Sequence, residues 1–510
     1  MKKRFSKLSI FLLLPLLIIC YFTCCALLYF FEPISYDAPD LSLSEFSFDL
    51  YNKFDYSKND KFYIKQISYS DIVSAPEDER LKYVNNTINI VSEDNVSFDE
   101  MTTLAKNLNG TVCGYIDIID FYQISFEDKS YNDLLNICFV LQNDKLVEIA
   151  IPDYFEETPV SETSTGSIAN NSYYYDLTDA YTAFTTDEDI TSEITVGVID
   201  IPVYSEHKDI TIINKDEYSN DLLKNKNIIT SPSHGTHVAG IIAADKNCKT
   251  PGIAGRAEIY SENGINNSIS YWLAAITNMI VNQNIKVINI SMGYNSYIPI
   301  SASLGCEFSQ EFIKKENELF ESALKNLIDS DYEFLICVAA GNENGKALYK
   351  TNSGLFSYGT KSTLKKLDIF GIFTSKPEYC DATYQFLMTD IENPDVRDRI
   401  MIVGCCDSAK KITRYSSKGN NVDIVAPGEM ILSTGYSADY EYMSGTSMST
   451  PFVSATASLL FGYNSNLSGK DVKNILIDTA SENITDNNDS YPLLNIKNAL
   501  EYVNNKQILS

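Results

Sequence analysis

Short apolar runs and amphipathic stretches alternate along the chain in two successive styles. In the first, residues 87–91 are strand-like, and residues 98–108 place apolar positions at helical spacing. Ser97 precedes that stretch as a cap and Asn109-Gly110 follows it as a stop. Strand-like runs at 112–118 and 120–126, a helix at 131–141 and a strand at 146–151 complete the order β-α-β-β-α-β. That order predicts a small ferredoxin-like α+β domain over residues 62–155. Many activities use this fold, so it says nothing of function by itself.

From about residue 173 the style changes. β-Branched apolar runs at 194–199, 287–290, 334–338, 400–403 and 422–425 are separated by helical stretches. Continuous apolar strands need cover on both faces, which predicts a mostly parallel sheet between two helix layers, a three-layer α/β domain over 173–510. Residues 156–172, rich in Ser, Thr, Glu and Asn, read as an exposed linker.

Ahead of both domains, residues 8–31 are apolar and follow Lys2, Lys3, Arg4 and Lys7. A helix of that length spans a bilayer. The basic flank puts residues 1–7 in the cytoplasm and everything past Phe31 outside, as a single-pass protein of the cell membrane. A cleaved signal peptide is the rival reading, but its apolar region would be shorter, and no clear small-x-small site follows. Residues 32–61, acidic and rich in Ser, Asp and Tyr, read as a linker.

Charge and cysteines narrow the function classes. The chain carries 68 Asp and Glu against 40 Lys and Arg, a net charge of -28. Such a field repels nucleic acid, so no nucleic-acid partner is expected. The 11 cysteines show no CxxC and no His at metal-ligand spacing, so no metal ligands are assigned. Cys337, Cys405 and Cys406 lie in or beside apolar runs and read as buried free thiols.

Three stretches fit one chemistry. Residues 194–200, ITVGVID, end an apolar strand in Asp200, where α/β folds place their sites. Residues 233–244, SHGTHVAGIIAA, start a Gly/Ala-rich helix with His234, one of only 3 histidines. Imidazole suits general-base work near neutral pH. Residues 444–460, SGTSMSTPFVSATASLL, put Ser447 at a helix start, with Pro451 expected in the first turn. Backbone N–H groups there can stabilise an oxyanion. Each stretch alone has an ordinary alternative: a strand-ending acid, a structural histidine, an N-cap serine.

Together and in the order Asp, His, Ser, the three boxes resemble the subtilisin (subtilase) family. VINISMG (287–293), CVAAGNE (337–343) and VDIVAPGEMILST (422–434) extend the resemblance, which runs from about residue 173 to the C-terminus. It implies a serine endopeptidase acting on polypeptides through an acyl-enzyme. Ser447 would be the nucleophile, His234 the general base, Asp200 its orienting carboxylate and Asn342 the oxyanion donor. Ser291, Met292 and Gly293 would form one wall of the substrate cleft, and Ala340 and Gly341 the facing wall. His237, His207 and Asp209 are expected to be structural. No organic cofactor is implied; structural calcium is allowed, without named ligands.

The resemblance also recasts the first domain as a propeptide, an intramolecular inhibitor whose tail enters the cleft, with processing expected in 156–172. A permanent interaction domain is the alternative. Four residues depart from the family pattern. Ile201-Pro202 follow Asp200 where Thr or Ser and then Gly are usual, Ser449 replaces a usual Ala, and Phe452 a usual His. The first departure keeps a pseudoprotease reading open. Residues 298–317 and 367–373 lie in expansions that read equally well as cleft walls or as peripheral decoration.

Overall fold

The computed structural model describes residues 61–76, 78–127, 129–156, 172–185, 193–215, 233–264, 267–292, 305–342, 347–350, 356–359, 378–379, 388, 391–486 and 489–509. The expected anchor (8–31), the first linker up to residue 60, residues 157–171, Gly293 and the 367–373 run lie outside the described residues. Among the described residues, no helix is long and apolar enough to cross a membrane.

The small domain runs β1 (Asp78–Ser92), α1 (Phe98–Asn107), β2 (Gly110–Ile116), β3 (Phe121–Phe126), α2 (Tyr131–Leu141) and β4 (Val147–Glu156). Its strands lie in the order β2-β3-β1-β4, antiparallel throughout. Local chemistry sets its helices. Each opens on a capping box, Ser97 with Glu100 and Ser130 with Asp133. α1 ends as Asn109 takes a φ of 58°.

Two strands run further than the local pattern predicts. β1 begins at Asp78 because its early part pairs with Ile72–Ala75. β4 continues to Glu156 because Phe155 and Glu156 pair antiparallel with Ser268 and Asn267 of the larger domain. A strand extends wherever a partner meets its free N–H and C=O groups; for β1 that partner is the preceding hairpin strand, and for β4 it is tertiary.

The larger domain begins with α3 (Tyr173–Thr178) and continues through β5 (Thr195–Asp200), α4 (His234–Ala243), β6 (Glu258–Asn263), β7 (Asn267–Ser268), α5 (Ile269–Thr277) and β8 (Val287–Ile290). Then come α6 (Gly305–Asp329), β9 (Leu335–Ala339), β10 (Ile400–Cys406), β11 (Ile424–Pro427), the hairpin β12 (Ile431–Thr434) and β13 (Tyr440–Met443), and the helices α7 (Thr446–Tyr463), α8 (Gly469–Asp478) and α9 (Ile496–Leu509). The main sheet has the order β11-β10-β9-β8-β5-β6, closed by the short strand Thr211–Ile212, and every pairing is parallel.

Alternation along these strands builds two cores. Val196, Val198, Leu335, Cys337, Met401 and Val403 pack with α4, α7 and α9. Ile199, Ile288, Ile290, Ile336, Val338 and Ile402 pack with α5 and α6. Sheet between helix layers is thus the expected three-layer arrangement. β6, which the apolar runs did not mark, is half-buried and interleaves polar residues as EIYSEN.

The sheet of the small domain lies on α5 and α6 and shares the second core. Polar ties lock that contact. Ser322 Oγ donates to Glu148 Oε2 (2.6 Å), and Asn326 Nδ2 donates to the Ile119 carbonyl (3.1 Å). Cys337, Cys405 and Cys406 are buried free thiols, as expected from their apolar settings.

Candidate active site

Chain order reverses around β5 and β8, so their carboxyl ends open a crevice where an α/β sheet binds ligands. Asp200 ends β5 and His234 begins α4. His234 Nδ1 lies 2.6 Å from Asp200 Oδ1, with both side chains at most 1% exposed. So buried a carboxylate holds the proton on Nδ1, which leaves Nε2 as the base. The approach of α4 depends on Gly235, where a Cβ would lie 1.8 Å from the Ile201 carbonyl oxygen. Asp200 Oδ1 also accepts the Ile201 N–H (2.7 Å). Oδ2 has no hydrogen-bond partner among the described residues. The Ile201 side chain offers it none, whereas a threonine or serine would bring a hydroxyl.

Ser447 is the second residue of α7 and 5% exposed. Its neighbour Thr446 ties the loop after β9 to the start of α7. The Thr446 N–H donates to Asn342 Oδ1 (2.9 Å), and the Thr446 hydroxyl lies 3.2 Å from the same atom. The Gly341 N–H donates to Thr446 Oγ1 (3.1 Å). With its oxygen held on the helix start, the Asn342 amide has a set orientation beside Ser447. Gly341 adopts a φ of 100°, a conformation a Cβ would strain.

The structure brings Asp200 and His234 into direct contact, and joins Ser447 to Asn342 and Gly341 through Thr446. Ala340 anchors its strand end by donating its N–H to the Val403 carbonyl (2.9 Å). Ser291 turns its side chain into the protein. It is buried, and its hydroxyl donates to the Ser447 carbonyl (3.0 Å). Met292 is also buried, its sulfur 3.0 Å from where a Cβ on Gly264 would lie. Pro451 sits inside α7, at its sixth residue, one turn deeper than expected.

His237 is structural. Its Nε2 donates to the carbonyls of Ile431 (3.0 Å) and Glu441 (3.1 Å), pinning α4 to the β12–β13 hairpin. Burial pushes its pKa down to about 3, so it stays neutral. Burial likewise lowers that of His207, whose Nδ1 accepts the Asp209 N–H (3.2 Å). The replaced residues of the serine box are absorbed in packing. Ser449 Oγ donates to the Ala426 carbonyl (3.0 Å), and Phe452 lies edge-on to Tyr174 of α3 at 5.8 Å. Local reading missed Thr446, whose bonds to Gly341 and Asn342 only the fold brings about. Among the described residues, no group of three or more metal-ligating side chains converges.

Fold and site together define a serine endopeptidase of the subtilisin type. Comparison with known families agrees: the model of the subtilase family matches residues 191–496, more than half of the chain. The chain belongs to the subtilase family. Subtilisin DY of Bacillus licheniformis is 27% identical over 295 residues, 57% of this chain and 84% of that protein. A thermophilic serine proteinase of Bacillus sp. (strain AK1) is 25% identical over 399 residues, 76% of this chain and 80% of that protein. Among solved structures, fervidolysin from Fervidobacterium pennivorans superposes with a TM-score of 0.53 at 19% identity over 88% of this chain; the chain spans 65% of its length. The epidermin leader peptide processing serine protease of Staphylococcus aureus gives 0.52 at 18%, over 82% of this chain and 98% of that one. These two likenesses concern the fold.

Proposed function

We propose that Ser447 attacks the scissile carbonyl of a polypeptide, with His234 Nε2 taking its proton and returning it to the leaving amine. Asp200 orients the imidazole and stabilises its cation. The Asn342 amide and the Ser447 N–H receive the oxyanion, and an acyl-enzyme forms and is hydrolysed. The observation that carries this reading is the fully buried Asp200–His234 pair at 2.6 Å. Labelling with a serine-directed fluorophosphonate tests it: wild type should label at Ser447, and absence of label would sink the assignment. A binding-only role is the second reading, favoured by the unpartnered Asp200 Oδ2 beside Ile201.

The proposal extends to a zymogen. The small domain serves as propeptide, and β4 supports this by pairing with β7, three residues past Gly264, whose N–H donates to the Asp200 carbonyl (2.8 Å). Self-cleavage then falls in 156–172, the segment that joins the two domains. The apolar run at 8–31 supports a membrane anchor with the catalytic domain outside the cell. Cleavage would sever that tether.

A further inference from the structure

Asn289 is a fully buried amide in the centre of the sheet, paired across to Cys337 and Val198. Burying an amide among apolar strands is costly unless both its ends are bonded. Here both are. Oδ1 accepts from Ser454 Oγ (2.8 Å), and Nδ2 donates to Ser291 Oγ (2.9 Å). A serine hydroxyl has one proton. Since Ser291 Oγ accepts from Asn289, its own proton goes to the Ser447 carbonyl, 3.0 Å away.

That carbonyl needs a donor from outside the helix. In α7 it faces residue 451, four positions on, which is proline and has no N–H. The Ser291 hydroxyl takes the place of the missing helical bond. Ser454 lies seven residues, two turns, beyond Ser447 and so on the same helix face. It closes the path back to Asn289.

We infer that Asn289 is a positioning residue for the nucleophile, holding Ser291 so that its hydroxyl fixes the Ser447 carbonyl and with it the turn that aims Oγ. The inference rests on Ser447 being the nucleophile, as proposed above. The path runs Ser454 to Asn289 to Ser291 to Ser447, and ends on the backbone of the reacting residue without touching substrate.

The test uses the full chain, a peptide substrate and sites counted by fluorophosphonate titration. In Asn289→Ala, kcat per titrated site should fall about tenfold, the scale of one lost bond, with KM unchanged. If both residues act through one bond, Asn289→Ala with Ser291→Ala should be no worse than Ser291→Ala alone. Pro451→Ala restores an N–H opposite the same carbonyl and should recover most of the loss in Asn289→Ala, which a purely structural defect would not allow. Wild-type kcat per site in Asn289→Ala, or multiplying losses in the double variant, overturns the inference. If Asn289→Ala does not fold, Ser454→Ala decides: a smaller drop in kcat supports the path, and none refutes it. A wild type that neither labels nor cleaves refutes instead the assignment of Ser447.

Discussion

Asp153, on the last strand of the small domain, accepts both the N–H (3.2 Å) and the hydroxyl (2.9 Å) of Ser270 in the first turn of α5. A carboxylate of one domain thus caps a helix of the other, where the helix dipole favours negative charge. Asp153 is completely buried, and Asn89 Nδ2 (2.8 Å) and Gln123 Nε2 (3.1 Å) donate to it from the small domain's own sheet. The covering of α5 and α6 therefore includes a titratable group with no access to water.

Burial pushes the Asp153 carboxyl up to about 6, against the hydrogen bonds from Asn89 and Ser270 and the field of Lys65. The folded state then holds this proton more tightly than the unfolded one, whose pKa is about 3.9. Stability from this group is fully present below about pH 4 and is lost as pH rises through about 6. In uncleaved protein carrying Ser447→Ala, the melting temperature should be higher at pH 5 than at pH 7.5 by an amount that Asp153→Asn removes. Identical pH profiles with and without Asp153→Asn would assign the effect to another group.

Ser447→Ala should abolish peptidase activity and leave the fold intact, because the change removes one oxygen from a helix start. The expected loss is on the order of 10⁶ in turnover, the scale known for breaking the triad of subtilisin itself. Rates on a peptide substrate, with circular dichroism on the same sample, check both halves.

Asn342→Ala should lower kcat by ~10²–10³ with little change in KM, again the scale known for subtilisin's oxyanion-hole asparagine. Thr446 would lose the acceptor for its N–H, so a small drop in melting temperature should accompany the kinetic loss. Unchanged turnover would place the oxyanion elsewhere.

Wild-type protein should convert to a shorter form whose first residue lies within 156–172, and Ser447→Ala should stay full length. Gel mobility and N-terminal sequencing distinguish the two. Full-length wild type with peptidase activity would show the small domain to be a permanent partner of the catalytic domain.

The local chemistry of this chain is legible in its sequence. Ser97 and Glu100 lie three residues apart, so their capping box is present in any short window, as is that of Ser130 and Asp133. The β-branched runs mark β5, β8, β9, β10 and β11 because strands buried on both faces must be apolar throughout. Asp200, His234, Ser447 and Asn342 stand in runs of residues that mark them as candidates before any contact is known.

What only the tertiary structure decided are contacts between residues far apart in the chain. Asp153 meets Ser270 across 117 positions, Asn342 meets Thr446 across 104, and Ser454 meets Asn289 across 165. The extra length of β4 and the burial of Ser291 belong to the same class. A helix cap or an apolar run lowers free energy through neighbours in sequence, so its signal is local. A buried polar side chain is stable only beside the one group that completes its hydrogen bonds, and packing of the folded chain chooses that group.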